Sequence, residues 1–197
     1  MNEIKRLLGK SWGPSVAAEH PDGGVMWIRP PEFSEFPYLH HLLVSEISPD
    51  AGSMETMIAV FRKNSDSFWV VDHLPPQAEA PHIAGFYAFL PLNKEGVEAL
   101  EADTLDRANP PLTMIAPFAT EPAGMYLWAV VARKIAKRIN PLIDRGMGKI
   151  YLHVPVYAAA STEGGLKAGT ERGFASDGGN RKGKLMKLPP PSKERAA

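Results

Sequence analysis

His82-Ile83-Ala84-Gly85-Phe86-Tyr87-Ala88-Phe89-Leu90 is a run of residues that is apolar on both faces when it is written as a strand. Successive side chains of a strand point to opposite faces of a sheet, so a strand of this kind is buried on both sides. Residues 125–132 form a second run of the same character. Two buried strands predict a central sheet that is covered by helices on both faces.

The segments around these two strands alternate between helical and extended patterns. Apolar residues recur at helical spacing in residues 32–47, 54–62, 94–105 and 133–144, and in a short helix that reaches Arg172. Further strands are predicted at residues 25–28, 67–71 and 150–156, with an edge strand at 184–188. This order predicts a single α+β domain of three layers, with a mixed, largely antiparallel central sheet between helices.

The composition excludes several classes of protein. The 197 residues are 44% hydrophobic and 22% charged, as in globular domains, so a disordered or fibrous chain is not expected. The chain has no cysteine, which excludes disulfides, cysteine-based zinc sites and thiol catalysis. It has no apolar run of about 18 residues, and residues 1–6 lack the apolar core of a signal peptide. We therefore expect a cytoplasmic protein that does not bind membranes.

The net charge of zero conceals two halves of opposite sign. Residues 1–132 hold 8 Lys and Arg against 17 Asp and Glu, whereas residues 133–197 hold 14 against 5. The basic half could bind an anionic ligand, or the two halves could attract each other or a second copy of the chain, as in a homodimer. Nucleic acid is not the expected partner, because the basic residues from 181 onward have no aromatic residues among them for base stacking.

Short motifs along the chain resemble those of the GNAT superfamily, the acyl-CoA-dependent N-acyltransferases. The first predicted strand ends in Arg29-Pro30, the third contains Ile83-Ala84-Gly85-Phe86, and the last predicted helix ends in Arg172-Gly173-Phe174. Two predicted helices separate the first strand from the second, as the family requires. The resemblance covers residues 25–175. It leaves residues 1–24 as an N-terminal extension and residues 176–197 as a basic Gly/Lys/Pro-rich C-terminal segment.

The resemblance implies a function and a co-substrate. A GNAT-like protein would move an acetyl or other acyl group from acyl-CoA to an amine of a small molecule or a protein. The implied acyl-CoA contacts come from the fourth strand, the helix after it and the start of the last helix. They are Trp128, Ala129, Val130, Val131, Ala132, Arg133, Lys134, Lys137, Arg138 and Thr162.

One family motif is missing. The loop between the fourth strand and its helix normally carries glycines, whose backbone N–H groups bind the pyrophosphate at a helix N-terminus. Residues 129–136 contain no glycine. The basic stripe of Arg133, Lys134, Lys137 and Arg138 would then bind the phosphates by charge, unless it is only a solvated helix face. The alternative function is therefore a catalytically inactive GNAT-fold module for binding or interaction.

Two residues are candidates for the chemistry. His153 lies on the predicted strand at 150–156 and could act as the general base, because histidine is the side chain most often used for proton transfer in enzymes; the alternative is a half-exposed histidine without a role. Tyr157 is the phenol nearest to the place where the family often has a tyrosine that protonates the leaving thiolate. His40-His41 has no third ligand at a suitable spacing, so no metal site is predicted.

The separation of the fourth and fifth strands distinguishes the enzyme from the inactive module. If these strands diverge beside residues 128–132, an extended pantetheine arm can pair with the strand backbone. If Trp128 or Tyr151 fills that space, the enzyme interpretation fails.

Overall fold

The computed structural model describes residues 17–20, 22–131, 143, 153–160, 163–176 and 184–189. These residues form one sheet together with helices on its faces. The strands are β1 (Ala17–Glu19), β2 (Val25–Arg29), β3 (Phe68–Leu74), β4 (His82–Leu92), β5 (Gly124–Val131), β6 (Val156–Ala160), β7 (Ala175–Ser176) and β8 (Lys184–Leu188). The helices are α1 (Phe36–Glu46), α2 (Met54–Lys63), α3 (Lys94–Glu101) and α4 (Glu163–Glu171).

The sheet is mixed and largely antiparallel, as predicted. Its strand order is β1-β2-β3-β4-β5-β6-β8-β7. Among the described strands, only β5 and β6 pair in parallel, and every other neighbouring pair is antiparallel. The two apolar runs that predicted a central sheet are β4 and β5, which lie side by side in the middle of this order.

Each face of the sheet has its own apolar core. On the front face, β3 and β4 bury Phe68, Val70 and Phe86 against α1, α2 and α3. On the back face, Trp69 and Tyr87 pack in a cluster with Ile143, a helical residue. Helix α4 packs its Leu166 against a third cluster, which includes β8. The three predicted layers are therefore confirmed, and neighbouring residues of β3 alternate between the two cores.

Capping residues set the ends of the helices. Ser53 accepts a hydrogen bond from the backbone N–H of Thr56 at 3.1 Å and begins α2. Asn93 accepts one from Gly96 at 2.9 Å and begins α3. Helix α3 ends at Glu101 rather than at the predicted residue 105, because Asp103 adopts a left-handed conformation with φ of 58°. The chain leaves the helix there and turns back over the front face.

The structure corrects the bounds of one predicted strand and the position of another. Of the strand predicted at residues 150–156, residues 150–152 lie outside the described residues, His153 lies in a turn, and the described strand is β6, Val156–Ala160. Pro155 has no N–H to donate, and pairing begins there through its carbonyl, which accepts the backbone N–H of Met125 at 2.9 Å. The predicted edge strand at 184–188 is β8, which lies between β6 and β7 instead of at an edge.

An ion-pair cluster joins the turn before α1 to strands β2 and β3 of the sheet. Arg29, the last residue of β2, donates from Nε and Nη2 to the carboxylate of Asp72 on β3, at 2.5 and 3.1 Å. Its Nη1 and Nη2 donate to Glu35 at 2.8 and 2.6 Å, in the turn that leads into α1. One guanidinium therefore links two strands and the first helix.

Candidate functional site

Strands β5 and β6 separate after three residue pairs. They pair at Met125 with Val156, Tyr126 with Tyr157, and Leu127 with Ala158. Beyond these pairs, β5 continues to Val131 in register with β4, while β6 continues to Ala160 in register with β8. We call the space between residues 128–131 and residues 159–160 the strand gap. Within the described part of the chain, no strand pairs with the edge of β5 that faces this gap.

A β-bulge lies at the start of the strand gap. Ala88 on β4 is opposite Ala129, and the next β4 residue, Phe89, is opposite Leu127. Trp128 is therefore an extra residue without a partner on β4. As a result, Trp128 and Ala129 both contact the front-face core. Bulges redirect a strand and are over-represented next to active sites.

The side chain of Trp128 is directed away from the strand gap. Its indole Nε1 donates a hydrogen bond of 2.6 Å to the carbonyl of Arg107. Its ring lies 5.9 Å from the ring of Phe68, edge to face. Phe68 belongs to β3, on the far side of β4 from β5, so the indole leans away from β6. Of the two side chains that could fill the gap, Trp128 does not, and Tyr151 lies outside the described residues.

The loop that holds Trp128 needs a glycine opposite it. Gly52, between α1 and α2, has φ of 73°, and a Cβ added there would lie 2.6 Å from the carbonyl of Ala108 and 3.3 Å from the Trp128 ring. A residue with a side chain would be strained in its backbone and would also collide with the loop. Gly52 therefore allows the α1–α2 connection and the loop at 107–109 to meet over β5.

Tyr126 is a candidate residue that the sequence analysis missed. It is buried in the front-face core, one strand position before the last pair of β5 with β6. Burial raises the pKa of its phenol, and the charge and hydrogen bond of Arg107 oppose this shift without cancelling it. The phenol therefore keeps its proton at neutral pH. Arg107 could not be found from sequence, because it lies in a loop without periodic pattern.

Tyr157 is buried in β6, and its hydroxyl already has a partner. It donates a hydrogen bond of 2.7 Å to Glu101 Oε1, which also accepts one of 3.0 Å from Lys187 Nζ. A Cβ added to Gly124 would lie 2.9 Å from the Tyr157 ring, so the ring covers the first residue of β5. The strand gap begins four residues further along β5. The Tyr157 hydroxyl is thus turned toward α3 and not toward the gap.

We expect Tyr157 to make the fold sensitive to alkaline pH. Burial raises the pKa of its phenol above the ordinary value of 10, and the nearby Glu101 adds to this shift while Lys187 opposes it. A raised pKa in the folded state means that the contribution to stability is present below pH 10 and is lost as the pH rises further. Urea unfolding from neutral to alkaline pH should show a steeper loss of unfolding free energy for the wild type than for Tyr157→Phe. If the free energies of the two proteins fall in parallel with pH, Tyr157 is not the source of the alkaline sensitivity.

His153 lies at the other end of β5 and β6. Its side chain is exposed, and it lines a cavity of 390 Å³ together with Asn64, Asp66 and residues 119–122. Those residues come before β5, just as His153 comes before β6. The structure therefore does not bring His153, Tyr157 and the strand gap together. The catalytic roles of these two residues stay predictions.

The predicted acyl-CoA contacts divide into two groups. Trp128, Ala129, Val130 and Val131 form the β5 side of the strand gap. The remaining predicted contacts lie outside the described residues: Ala132, Arg133, Lys134, Lys137, Arg138 and Thr162. Of the adjacent histidines, His41 is exposed and His40 lies 3.3 Å from the carbonyl of Gly52 through Nε2. In the described ranges, no helix has the length and apolar character needed to cross a membrane.

Comparison with known proteins identifies the fold. No protein-family model and no curated protein matches the chain. Among solved structures, a chain of the NatC complex bound to Gag peptide and CoA matches with a TM-score of 0.51 and 12% identity, over 85% of this chain and 99% of that one. PH1933 from Pyrococcus horikoshii OT3 matches with a TM-score of 0.50 and 12% identity, over 85% and 99%. An HPA2-related acetyltransferase from Corynebacterium glutamicum ATCC 13032 has a TM-score of 0.44 and 15% identity, over 84% and 96%. The chain has the GNAT fold.

Proposed function

We propose that this protein is an acyl-CoA-dependent N-acyltransferase that moves an acetyl or other acyl group to an amine of a small molecule or a protein. The strand gap between β5 and β6 carries the proposal, because no described strand pairs with the edge of β5 at residues 128–131 on this side. The CoA bound in the NatC complex, whose chain has a similar fold, supports the choice of co-substrate. The class of the acceptor and the formation of a homodimer stay predictions.

The strand gap suits the pantetheine arm of acyl-CoA. This arm is extended and contains two amide groups, so it can pair with strand backbone as an added strand does. The β6 side of the gap consists of Ala159 and Ala160, whose small side chains leave room for it. The bulge at Trp128 turns the β5 backbone at the entrance of the gap. Residues 128–131 would therefore hold the arm, and Arg133, Lys134, Lys137 and Arg138 would bind the phosphates by charge.

The chemistry needs few groups from the protein. The amine nitrogen attacks the thioester carbonyl, the new C–N bond forms, and the C–S bond breaks with release of the CoA thiolate. A base takes the proton of the amine, and a donor returns a proton to the thiolate. Backbone N–H groups beside the bulge would stabilise the oxyanion. Tyr126, which keeps its proton at neutral pH, is a candidate donor. Tyr157 as the donor and His153 as the base stay predictions from the sequence, because the Tyr157 hydroxyl donates to Glu101 and His153 lies at the other end of β5 and β6.

Calorimetric titration of the purified protein with acetyl-CoA tests this proposal. We expect micromolar binding of one acetyl-CoA per chain, similar binding of desulfo-CoA, and much weaker binding of ATP, which lacks the pantetheine arm. After such a result, a screen of amines would search for the acceptor. If neither CoA species binds at millimolar concentration, the transferase proposal fails, and the inactive binding module becomes the better description.

A further inference from the structure

Three metal-ligating side chains meet where the β1–β2 hairpin contacts β3. His20 and Asp22 belong to the turn between β1 and β2, and His73 lies on β3 opposite Met26. One ligand atom from each of the three residues lies within 4.8 Å of the other two. The carboxylate of Asp22 lies 2.8 Å from His20 Nδ1 and 3.3 Å from His73 Nε2. The sequence analysis missed this cluster, because 50 residues of chain lie between Asp22 and His73.

His73 has a buried nitrogen that lacks a hydrogen bond. Its side chain is only 8% exposed, and its Nε2 makes no hydrogen bond with any described residue, although Asp22 Oδ2 is 3.3 Å away. A buried polar atom without a hydrogen bond is costly and calls for an explanation, such as an ion. The ring centroid of His20 lies 4.1 Å from that of His73, with the planes tilted by 39°, so a second imidazole borders the same space.

The turn is built so that these groups can approach one another. Gly24 N–H donates to Asp22 Oδ1 at 2.8 Å, which holds the carboxylate in place and leaves Oδ2 directed toward His73. A Cβ added to Gly24 would lie 2.7 Å from His73 Nε2 and 2.5 Å from the carbonyl of Leu74. Any residue with a side chain at this position would therefore occupy the space beside the imidazole nitrogen.

We propose that His20, Asp22 and His73 bind a divalent transition-metal ion, with Zn²⁺ as the best match. Imidazole nitrogens favour zinc and its neighbours over Ca²⁺ and Mg²⁺, which prefer oxygen ligands. Zinc bound tetrahedrally at about 2.0 to 2.2 Å places neighbouring ligand atoms about 3.4 Å apart. The 3.3 Å between Asp22 Oδ2 and His73 Nε2 agrees with this spacing. The ligand atom of His20 lies within 4.8 Å of the other two, and water would supply the fourth ligand.

The metal would fasten the β1–β2 hairpin to β3. Strand β1 has only three residues, and among the described strands it pairs with β2 alone. The site lies across β4 from β5, whereas the strand gap lies on the other side of β5. Zinc binding is therefore independent of the proposed transferase activity, and each can fail without the other.

Zinc titration of the full, tag-free chain after treatment with a chelator tests the site. We expect calorimetry to give one Zn²⁺ per chain, and we expect Co²⁺ in its place to give the visible absorption of a tetrahedral complex. Mutating a residue that only hydrogen-bonds a zinc ligand lowers metal affinity by about 10- to 100-fold. Replacing a ligand itself should cost more, so we expect His73→Gln and Asp22→Asn each to weaken zinc binding by at least roughly 100-fold. His20→Gln should act in the same direction.

His41→Gln is the matched control, because His41 is exposed on α1, away from the cluster. This variant should bind zinc as the wild type does. Circular dichroism of each variant, measured without metal, checks that the chain is folded. If His73→Gln does not fold, the test rests on Asp22→Asn, which lies in the exposed turn. The proposal is overturned if the wild type binds no zinc at millimolar concentration. It is also overturned if folded ligand variants bind zinc as tightly as the wild type.

Discussion

Ala159→Phe is expected to weaken acetyl-CoA binding by roughly 30- to 100-fold. Ala159 lies on β6 just beyond the last pair with β5, and its side chain packs on the front face beside the strand gap. A phenyl group there would cover the gap and displace the pantetheine arm from the β5 backbone. Two or three lost hydrogen bonds of about 1 kcal/mol each give an effect of this size. Calorimetric titration of wild type and variant measures it.

The control for this experiment is the same substitution on the surface. Ala80 is exposed in the connection between β3 and β4, so Ala80→Phe should leave acetyl-CoA binding unchanged. Ala159→Leu should give an intermediate affinity, since its side chain is smaller than that of phenylalanine. Thermal unfolding of each variant shows that the fold is kept. Equal affinity of a folded Ala159→Phe variant and the wild type would rule out the strand gap as the binding place of the arm.

Arg29→Met is expected to lower the free energy of unfolding by about 3 to 5 kcal/mol. Removal of one partner from a buried ion pair leaves the other charge without compensation. Here the carboxylate of Asp72, whose side chain is 5% exposed, would lose both of its hydrogen bonds from the guanidinium. Glu35 would lose two more. Urea unfolding of wild type and variant near neutral pH measures the difference.

The pH dependence of Arg29→Met separates an electrostatic effect from an effect of packing. Burial already raises the pKa of Asp72, and Arg29 is the main group that opposes this rise. Without Arg29, the folded-state pKa of Asp72 rises further, so the folded variant gains a proton as the pH falls. The difference in the free energy of unfolding between the wild type and the variant therefore becomes smaller in acid. Arg29→Lys keeps the charge but cannot bridge two carboxylates, so its loss should be intermediate. A deficit that is constant from neutral to acid pH would assign the effect to packing.

Much of the sheet could be predicted from the sequence, because its central strands are buried on both faces. β4 and β5 are continuous apolar runs, and this pattern needs no knowledge of their neighbours. β6 was misplaced because its residues, Val156 to Ala160, include three alanines, which have a low strand propensity. Its position is fixed instead by Pro155 and by pairing with β5 and β8. β1 and β7 are too short to leave a periodic pattern.

The candidate sites were harder to predict, because they depend on contacts between distant segments. The predicted residues 128–131 do border the strand gap, since their position on the fourth strand follows from the order of elements. The contact between Arg107 and Trp128 depends on how a loop returns over the sheet, and no local pattern encodes it. The histidine cluster likewise needs the register of β2 with β3, which places His73 beside the turn at Asp22.

The insertion of β8 between β6 and β7 has a consequence for synthesis on the ribosome. β6 and β7 are made first, and β8, which pairs with both of them, emerges after both. Until residues 184–188 leave the exit tunnel, β6 has only its three pairs with β5, and its other edge is open. An open strand edge on a nascent chain can pair with a neighbouring chain. The last described strand therefore completes this half of the sheet and also protects it from misassembly.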